Sequence, residues 1–352
     1  RTENGRVYFE GPMAECARAN LRLRCGERVL LRLASFPAYT FEDLFQGVKS
    51  IPWADYLQSD SIFPVVGYCV GSQLHSVPDC QRIIKKAVVE CLKERCNLSW
   101  FPETGVKYQI RFALLEDQAE IYLDTTGAPL YKRGYRLATQ QAPLRETLAA
   151  SLVKITRYRG REELIDPFCG SGTLAIEAAM VCCRIAPGAR RSFEGEDWLF
   201  EDNACWEEER QRALGEEVRE KLPITASDIS GEAVELAREN ARRAGVEDLI
   251  TIRRADALGL PYTGRKGVLL TNPPYGQRLS TQEEARALYD GLGRVLHQTP
   301  GLKKYIITSD PEFETYFGAK ADKRRKLYNG MLKCQLFMYY KQAVEEGREK
   351  RR

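Results

Sequence analysis

The chain has 352 residues, 43% hydrophobic and 29% charged, with a formal net charge of +4. It is long enough for two or more globular domains, and no apolar run approaches the ~20 residues of a membrane span. Two histidines, His75 and His297, and eleven cysteines without a CxxC or Cys/His spacing weigh against zinc and histidine-based catalysis. The expectation is a cytoplasmic protein with reduced core thiols, no metal and no membrane contact. Charge is uneven, with residues 141–318 net acidic and residues 319–352 net basic, so phosphate contact is suggested mainly at the basic end.

The chain starts at Arg1, and its natural start is expected to lie upstream. "GRVYFEG" reads as a strand, and "PMAECARANLRLR" has helical spacing with Pro12 suited to a first turn. "ERVLLRLASF" alternates as a strand does. "TFEDLFQGV" reads as a helix capped by Thr40 with Asp43 at the third helical position. "IFPVVGYCVG" is another strand. "SVPDCQRIIKKAVVECLKERC" is an amphipathic helix with Ile84, Val88, Cys91 and Leu92 on one face. "KYQIRFALLEDQAEIYLDTTG" reads as a hairpin around Glu116-Asp117. "PLYKRGYR" interleaves Lys132, Arg133, Tyr135 and Arg136, a pattern that suits an RNA-binding surface or equally a plain linker.

From residue 143 the pattern changes. "PLRETLAASLVKIT" is helical, and "EELIDPFCGSGTLAIEAAMV" and "ITASDISGEAVELARENARRAG" each run strand, turn, helix. "LITIRRADAL" and "GVLLTNPPYG" are strands, "ARALYDGLGRVLHQ" a helix and "KKYIITSD" a strand. This is the grammar of α/β: a parallel, doubly wound sheet. Asn329-Gly330 in "KRRKLYNGMLKCQLFMYYK" predicts a closing antiparallel hairpin.

Ligands of such sheets bind at the carboxyl ends of the strands, where the unusual residues of this sequence fall. Gly170 and Gly172 of "DPFCGSGT" allow a ligand close to the backbone, a signal that alone also fits NAD and an oxidoreductase. Asp166, Asp228 and Asp256 end three successive strands. They suit a cationic amine, ribose hydroxyls and an adenine amino group in turn, although a helix N-cap is a common role for any one of them. Together they favour S-adenosylmethionine, which has no pyrophosphate. "NPPY" then suits transfer to an exocyclic base amine. Asn272 and the carbonyl of Pro273 offer acceptors that hold the NH2 and turn its lone pair, and Pro273 and Pro274 fix them. Tyr275 offers a stacking face to an extruded base.

"DPFCGSGT" with "NPPYG" resembles the amino-methyltransferases of the class I S-adenosylmethionine-dependent fold. "SVPDCQRIIKKAVVECL" and "LDTTGAPLYKRGYR" resemble a THUMP RNA-binding domain. The combination is similar to the RlmL family over essentially the whole chain. The resemblance implies an α/β fold, a Rossmann-like class I methyltransferase domain whose parallel sheet ends in an antiparallel hairpin, preceded by an α+β ferredoxin-like and THUMP region. It implies a partial ferredoxin-like domain at 1–50, lacking its first strand and helix, THUMP at 51–137 and the methyltransferase at 138–352. The second methyltransferase of some relatives is not expected here. The implied activity is transfer of methyl to N2 of a guanine in 23S ribosomal RNA; transfer RNA, or N6 of adenine, is the alternative. The implied cofactor set adds Pro143, Phe168, Thr173, Ile229 and Ala257 to Asp166, Gly170, Gly172, Asp228, Asp256 and Asn272. Lys132, Arg133 and Arg136 are the implied RNA contacts. Gln277 stands where the resemblance leads one to expect glutamate.

Overall fold

The structure, a computed structural model, describes residues 1–3, 5–96, 101–136, 144–200, 203–274 and 282–341. The chain divides into two compact units, one of residues 1–130 and 188–215, the other of residues 131–187 and 216–352.

The first unit opens with a two-residue pair of strands, β1 (Thr2–Glu3) and β2 (Arg6–Val7), then α1 (Met13–Arg22) and β3 (Leu30–Pro37). Next come α2 (Phe41–Lys49), β4 (Val65–Val70), α3 (Val77–Cys96), β5 (Ile110–Leu115) and β6 (Gln118–Asp124). Thr40 and Asp43 form the expected reciprocal capping box at the start of α2. The four-stranded sheet runs β3-β6-β5-β4, with β4 and β5 parallel across the α3 crossover. Ile84, Val88, Cys91 and Leu92 are buried beside Leu44, Val48, Phe63 and Phe112. The β5–β6 turn falls on Glu116 and Asp117, with φ of 49° and 63°. Two left-handed residues match the twist of a hairpin, and here non-glycine residues adopt it. Asp117 is held from both sides: its Oδ1 accepts from Gln73 N at 2.7 Å and its amide donates to Ser72 Oγ at 3.0 Å.

The second unit starts with α4 (Glu146–Thr156), β7 (Glu163–Asp166) and α5 (Thr173–Cys182). The chain then returns to the first unit, where α6 (Ala204–Gly215) lies. Trp206 of α6 stacks on Phe193 at 5.6 Å and joins a core with Cys16, Ala17 and Leu21 of α1. Arg18 grips Glu209 through two bonds of 2.9 and 2.8 Å. Sequence reading does not find this return. Its contacts are with residues nearly two hundred positions away, and no local period marks them.

The sheet resumes with β8 (Ile224–Asp228), α7 (Gly231–Ala244), β9 (Thr251–Arg254) and β10 (Gly267–Thr271). It closes with α8 (Gln282–Leu296), β11 (Leu302–Thr308), α9 (Phe313–Phe317), β12 (Lys323–Asn329) and β13 (Leu332–Tyr339). The order is β12-β13-β11-β10-β7-β8-β9; β11, β10, β7, β8 and β9 are parallel and the last hairpin is antiparallel. All of β10 is buried because both sheet faces are covered. Val268 and Leu270 face a core shared with α4, α5 and α7; Leu269 faces one shared with α8 and α9. The chain leaves β7 toward β8 and β9, then returns to β10 and β11 on the other side. That reversal opens a crevice at the carboxyl ends of β7 and β10. Among the described residues no helix is long and apolar enough to cross a membrane, and the cysteines whose side chains are described are free.

Candidate functional site

Four adjacent parallel strands, β10, β7, β8 and β9, carry Asn272, Asp166, Asp228 and Asp256 at or just past their carboxyl ends. Gly172 caps α5 with φ of 80°, a conformation that favours glycine. A Cβ there would also lie 3.0 Å from the Ala237 Cβ of α7, so glycine sets the closeness of the two helices. A Cβ on Gly170 would meet nothing within 4 Å. The floor beside the glycine turn is therefore open.

Asp228 shapes that turn. Its Oδ2 accepts from Gly170 N and its Oδ1 from Ser230 N, each at 3.0 Å. Asp256 accepts from Leu258 N at 3.0 Å as the cap of a short 3-10 helix beginning at Ala257. Both thus play a local capping role and keep unshared lone pairs. Ala257 is buried; Ile229 is 63% exposed and Phe168 half-buried against the α8–α9 core. Tyr262, which sequence reading missed, hydrogen-bonds to Ala257 O at 2.9 Å. Burial raises its phenol, and Asp166 and Asp256 are both near enough to raise it further.

Asp166 is buried, and its Oδ1 accepts from the Thr271 hydroxyl at 2.7 Å and Phe168 N at 3.3 Å. Burial pushes it from 3.8 up to about 7, with the Asp228 charge adding to the rise. Folding therefore makes this carboxyl bind its proton more tightly. Its contribution to stability is fully present below about pH 4 and is lost as pH rises through about 7. Asp166→Asn should flatten that fall in the unligated protein, by on the order of 4 kcal/mol across the window. Urea unfolding between pH 4.5 and 7.5 tests it; parallel curves for variant and parent would contradict it. Glu146, which burial also pushes up to about 7, leaves a residual slope of the same sign in both proteins.

Asn272 is 9% exposed, and its side-chain oxygen is buried without a hydrogen-bond partner among the described residues. A buried acceptor left unpaired costs about 1–3 kcal/mol, so it marks a place where a ligand donor belongs. Pro273 is buried and Pro274 partly so. Tyr289 of α8 donates to Pro274 O at 3.4 Å and shares a 3.1 Å bond with Thr308, bracing the turn. Tyr275, Gln277 and Pro143 lie outside the described residues.

The basic residues before α4 divide. Lys132 is exposed. Arg133 is only 5% exposed, and its Nε meets the buried Glu177 of α5 at 3.4 Å, where the Tyr135 hydroxyl also donates at 3.2 Å. The guanidinium at which an RNA contact was expected is thus buried inside the unit. Arg136 is half-buried; it donates to Thr173 Oγ1 at 2.7 Å and Leu144 O at 2.8 Å and lies 3.5 Å from Glu146. It too is engaged inside the unit, behind the first residue of α5. Arg133→Ala should leave RNA affinity within about twofold but destabilise the protein by about 3–5 kcal/mol, because Glu177 keeps a buried charge without its partner. A large loss of RNA affinity at unchanged stability would restore the surface role.

Among the described residues no group of His, Cys, Asp and Glu is arranged to hold a metal ion. The residues do fit an adenosine-bearing, cationic cofactor: an open glycine turn, carboxylates at successive strand ends and an unpaired acceptor one strand away.

A family described as the RMKL-like methyltransferase domain matches residues 133–337, the THUMP domain matches 38–124 and the RlmL ferredoxin-like domain matches 1–30. A Bacillus subtilis (strain 168) protein provisionally named an RNA methyltransferase, YpsC, is 42% identical over 97% of this chain and 89% of its own. The ribosomal RNA large subunit methyltransferase K/L of Psychromonas ingrahamii is 36% identical over 96% of this chain, which spans 46% of that longer protein. A crystal structure from Listeria monocytogenes str. 4b F2365, described as a predicted N6-adenine-specific DNA methylase, superposes with a TM-score of 0.90 at 42% identity, covering 97% of this chain and 89% of that one. SMU.472, solved with S-adenosylhomocysteine (SAH), gives a TM-score of 0.86 at 40% identity, covering 94% and 88%. The chain belongs to the RMKL-like methyltransferase family, with a THUMP domain and an RlmL-type ferredoxin-like segment ahead of its catalytic unit.

Proposed function

We propose that this chain is an S-adenosylmethionine-dependent RNA methyltransferase acting on N2 of a guanine in 23S ribosomal RNA. The observation that carries the reading is the buried, unpartnered side-chain oxygen of Asn272 at the end of β10, beside the strand ends that suit the cofactor. The THUMP match favours RNA, and the named K/L relatives favour the large ribosomal subunit. SMU.472, at 40% identity, was solved with the product of methyl donation, which supports S-adenosylmethionine as cofactor.

When bound, S-adenosylmethionine supplies an electrophilic methyl group and leaves as its thioether. The chain's own residues then have four tasks. Asp228 accepts from ribose hydroxyls and Asp256 from the adenine amino group. Asp166, ionised by a cationic neighbour, holds the amino-acid end, while Gly170 and Gly172 leave room and Phe168, Thr173, Ile229 and Ala257 line the cofactor. Asn272 and the Pro273 carbonyl accept the two N–H groups of the base amine, which turns its lone pair out of conjugation. Tyr275 stacks on the extruded base. A new N–C bond forms as the methyl–sulfur bond breaks, and the amine proton, acidic once nitrogen is alkylated, leaves to water. No buried general base is required.

The test presents labelled S-adenosylmethionine and four acceptors: 23S transcript, 16S transcript, total transfer RNA and duplex DNA. Label in 23S RNA alone supports the proposal. Label in transfer RNA moves the substrate, and label in DNA adenine overturns the RNA assignment.

A further inference from the structure

We propose that the β12–β13 hairpin is a substrate clamp, a basic wall with an apolar tip that grips the RNA flanking the extruded base. The inference rests on the RNA reading above and adds to it a second surface, far in sequence from the THUMP region.

The sheet register places the hairpin. Thr271, the last residue of β10, is level with Ile306, and Ile306 is level with Phe337 and Arg324. Strand β13 runs antiparallel to β11, so its start lies beyond the carboxyl edge that carries Asn272. Leu332 is five residues further along than Phe337, a rise of about 16 Å above that edge. The hairpin therefore stands as a wall beside the crevice.

Its surface is unlike an ordinary solvated edge. Met331 at the tip is 100% exposed, Tyr328 53% and Leu332 43%. The cations on the rising part, Arg325, Lys326 and Lys333, are exposed and have no carboxylate partner among the described residues. Arg324, level with the edge, is by contrast neutralised by Glu314. The wall is also fixed in place. Arg145 N, just before α4, donates to Asn329 Oδ1 at 3.0 Å, and the Arg145 guanidinium lies beside Gly330 and over the Tyr131 ring at 4.7 Å. A tip held at its own turn, with Met331 bare and the Lys326 ammonium 5.4 Å over the exposed Tyr328 ring, is a pre-organised surface rather than a fraying loop.

Cations without a carboxylate partner along a hairpin, Arg325 and Lys326 on β12 and Lys333 on β13, fit phosphates, which release counterions when neutralised. An exposed aromatic and an apolar tip fit the second demand of this chemistry. A base turned out toward Asn272 leaves its neighbours without a stacking partner, and a side chain that fills the gap offsets that cost. Lys326 and Lys333 share one face of the hairpin and Arg325 lies on the other, so a phosphate backbone passing the wall meets a cation on either side, which a protein partner would not need.

The experiment uses the whole chain and a 23S transcript. Two variants are made on the hairpin, Arg325→Glu/Lys326→Glu/Lys333→Glu and Met331→Asp. The control, Arg159→Glu/Arg161→Glu/Lys266→Glu, makes the same charge change at the amino ends of the strands. The triple hairpin variant should bind the transcript at least tenfold more weakly, with a salt dependence shallower by about three ions. Met331→Asp should lower the single-turnover rate at saturating RNA by at least fivefold. The control should stay within twofold, and SAH affinity should be unchanged in all three. Hairpin variants that bind and react like the parent overturn the clamp whether or not the parent methylates 23S RNA. A parent that binds RNA but methylates none, with binding still lost in the hairpin variants, leaves the clamp standing and removes the proposed activity.

Discussion

Asn272→Ala is expected to lower the single-turnover rate of methyl transfer by about 10²–10³-fold while leaving SAH and RNA affinities within about twofold. The reason lies in when the Asn272 oxygen is used. It is buried and unpaired before substrate arrives, so its desolvation has already been met by the fold. The amine it receives binds water well in the ground state, and the gain is realised only as nitrogen becomes tetrahedral and its N–H groups more acidic. An interaction that strengthens only then changes the rate and not the binding. Tyr275 should behave differently. Tyr275→Phe keeps the stacking face and much of the activity, whereas Tyr275→Ala loses about 1–3 kcal/mol of base stacking. A parental rate for Asn272→Ala would remove the central role given to this side chain.

The second large effect is expected at Asp228. Asp228→Ala should weaken SAH binding by about 1.5–3 kcal/mol, roughly 10- to 150-fold, through loss of a charged acceptor. Two consequences combine here. The ribose loses its acceptor, and the amides of Gly170 and Ser230 lose the oxygens that shape the glycine turn. Asp228→Asn separates them only in part, because its NH2 faces one of those N–H donors. Calorimetry with SAH reads the effect directly, and an unchanged dissociation constant would mean that the ribose lies elsewhere. Chain-melting curves for the variant distinguish loss of the contact from loss of the unit.

Much of this architecture was legible because its signals are local. The box of Thr40 and Asp43, the Ile84–Leu92 face, the turn at Glu116-Asp117 and the Asn329-Gly330 hairpin each depend on residues a few positions apart, and each is found in the structure. The carboxylates were legible for the same reason, since each ends a strand of recognisable period. What could not be read depends on distant contacts. Residues 188–215 interrupt the catalytic unit in sequence and pack on α1, where Trp206 and Glu209 find partners that no pattern announces. A simple cut at residue 137 would strip these side chains of their core, so it does not isolate the catalytic unit cleanly. Arg133 shows the limit of composition. Arginines alternating with tyrosines suit an RNA surface and a plain linker equally well, and the buried contact of Arg133 with Glu177 depends on a helix more than forty residues away. Asp166 was placed correctly at its strand end, but its burial and its bond to Thr271 require the neighbouring strand.

The most direct test of the account is the chemical identity of the methylated nucleoside. RNA methylated by the purified chain is digested to nucleosides and analysed by mass spectrometry against standards. The account predicts a guanosine carrying its new methyl on N2, absent from the Asn272→Ala reaction. A methyl on ribose, on a ring carbon or on a ring nitrogen would contradict it, because none of those positions presents the two N–H groups that Asn272 and Pro273 are assigned to hold.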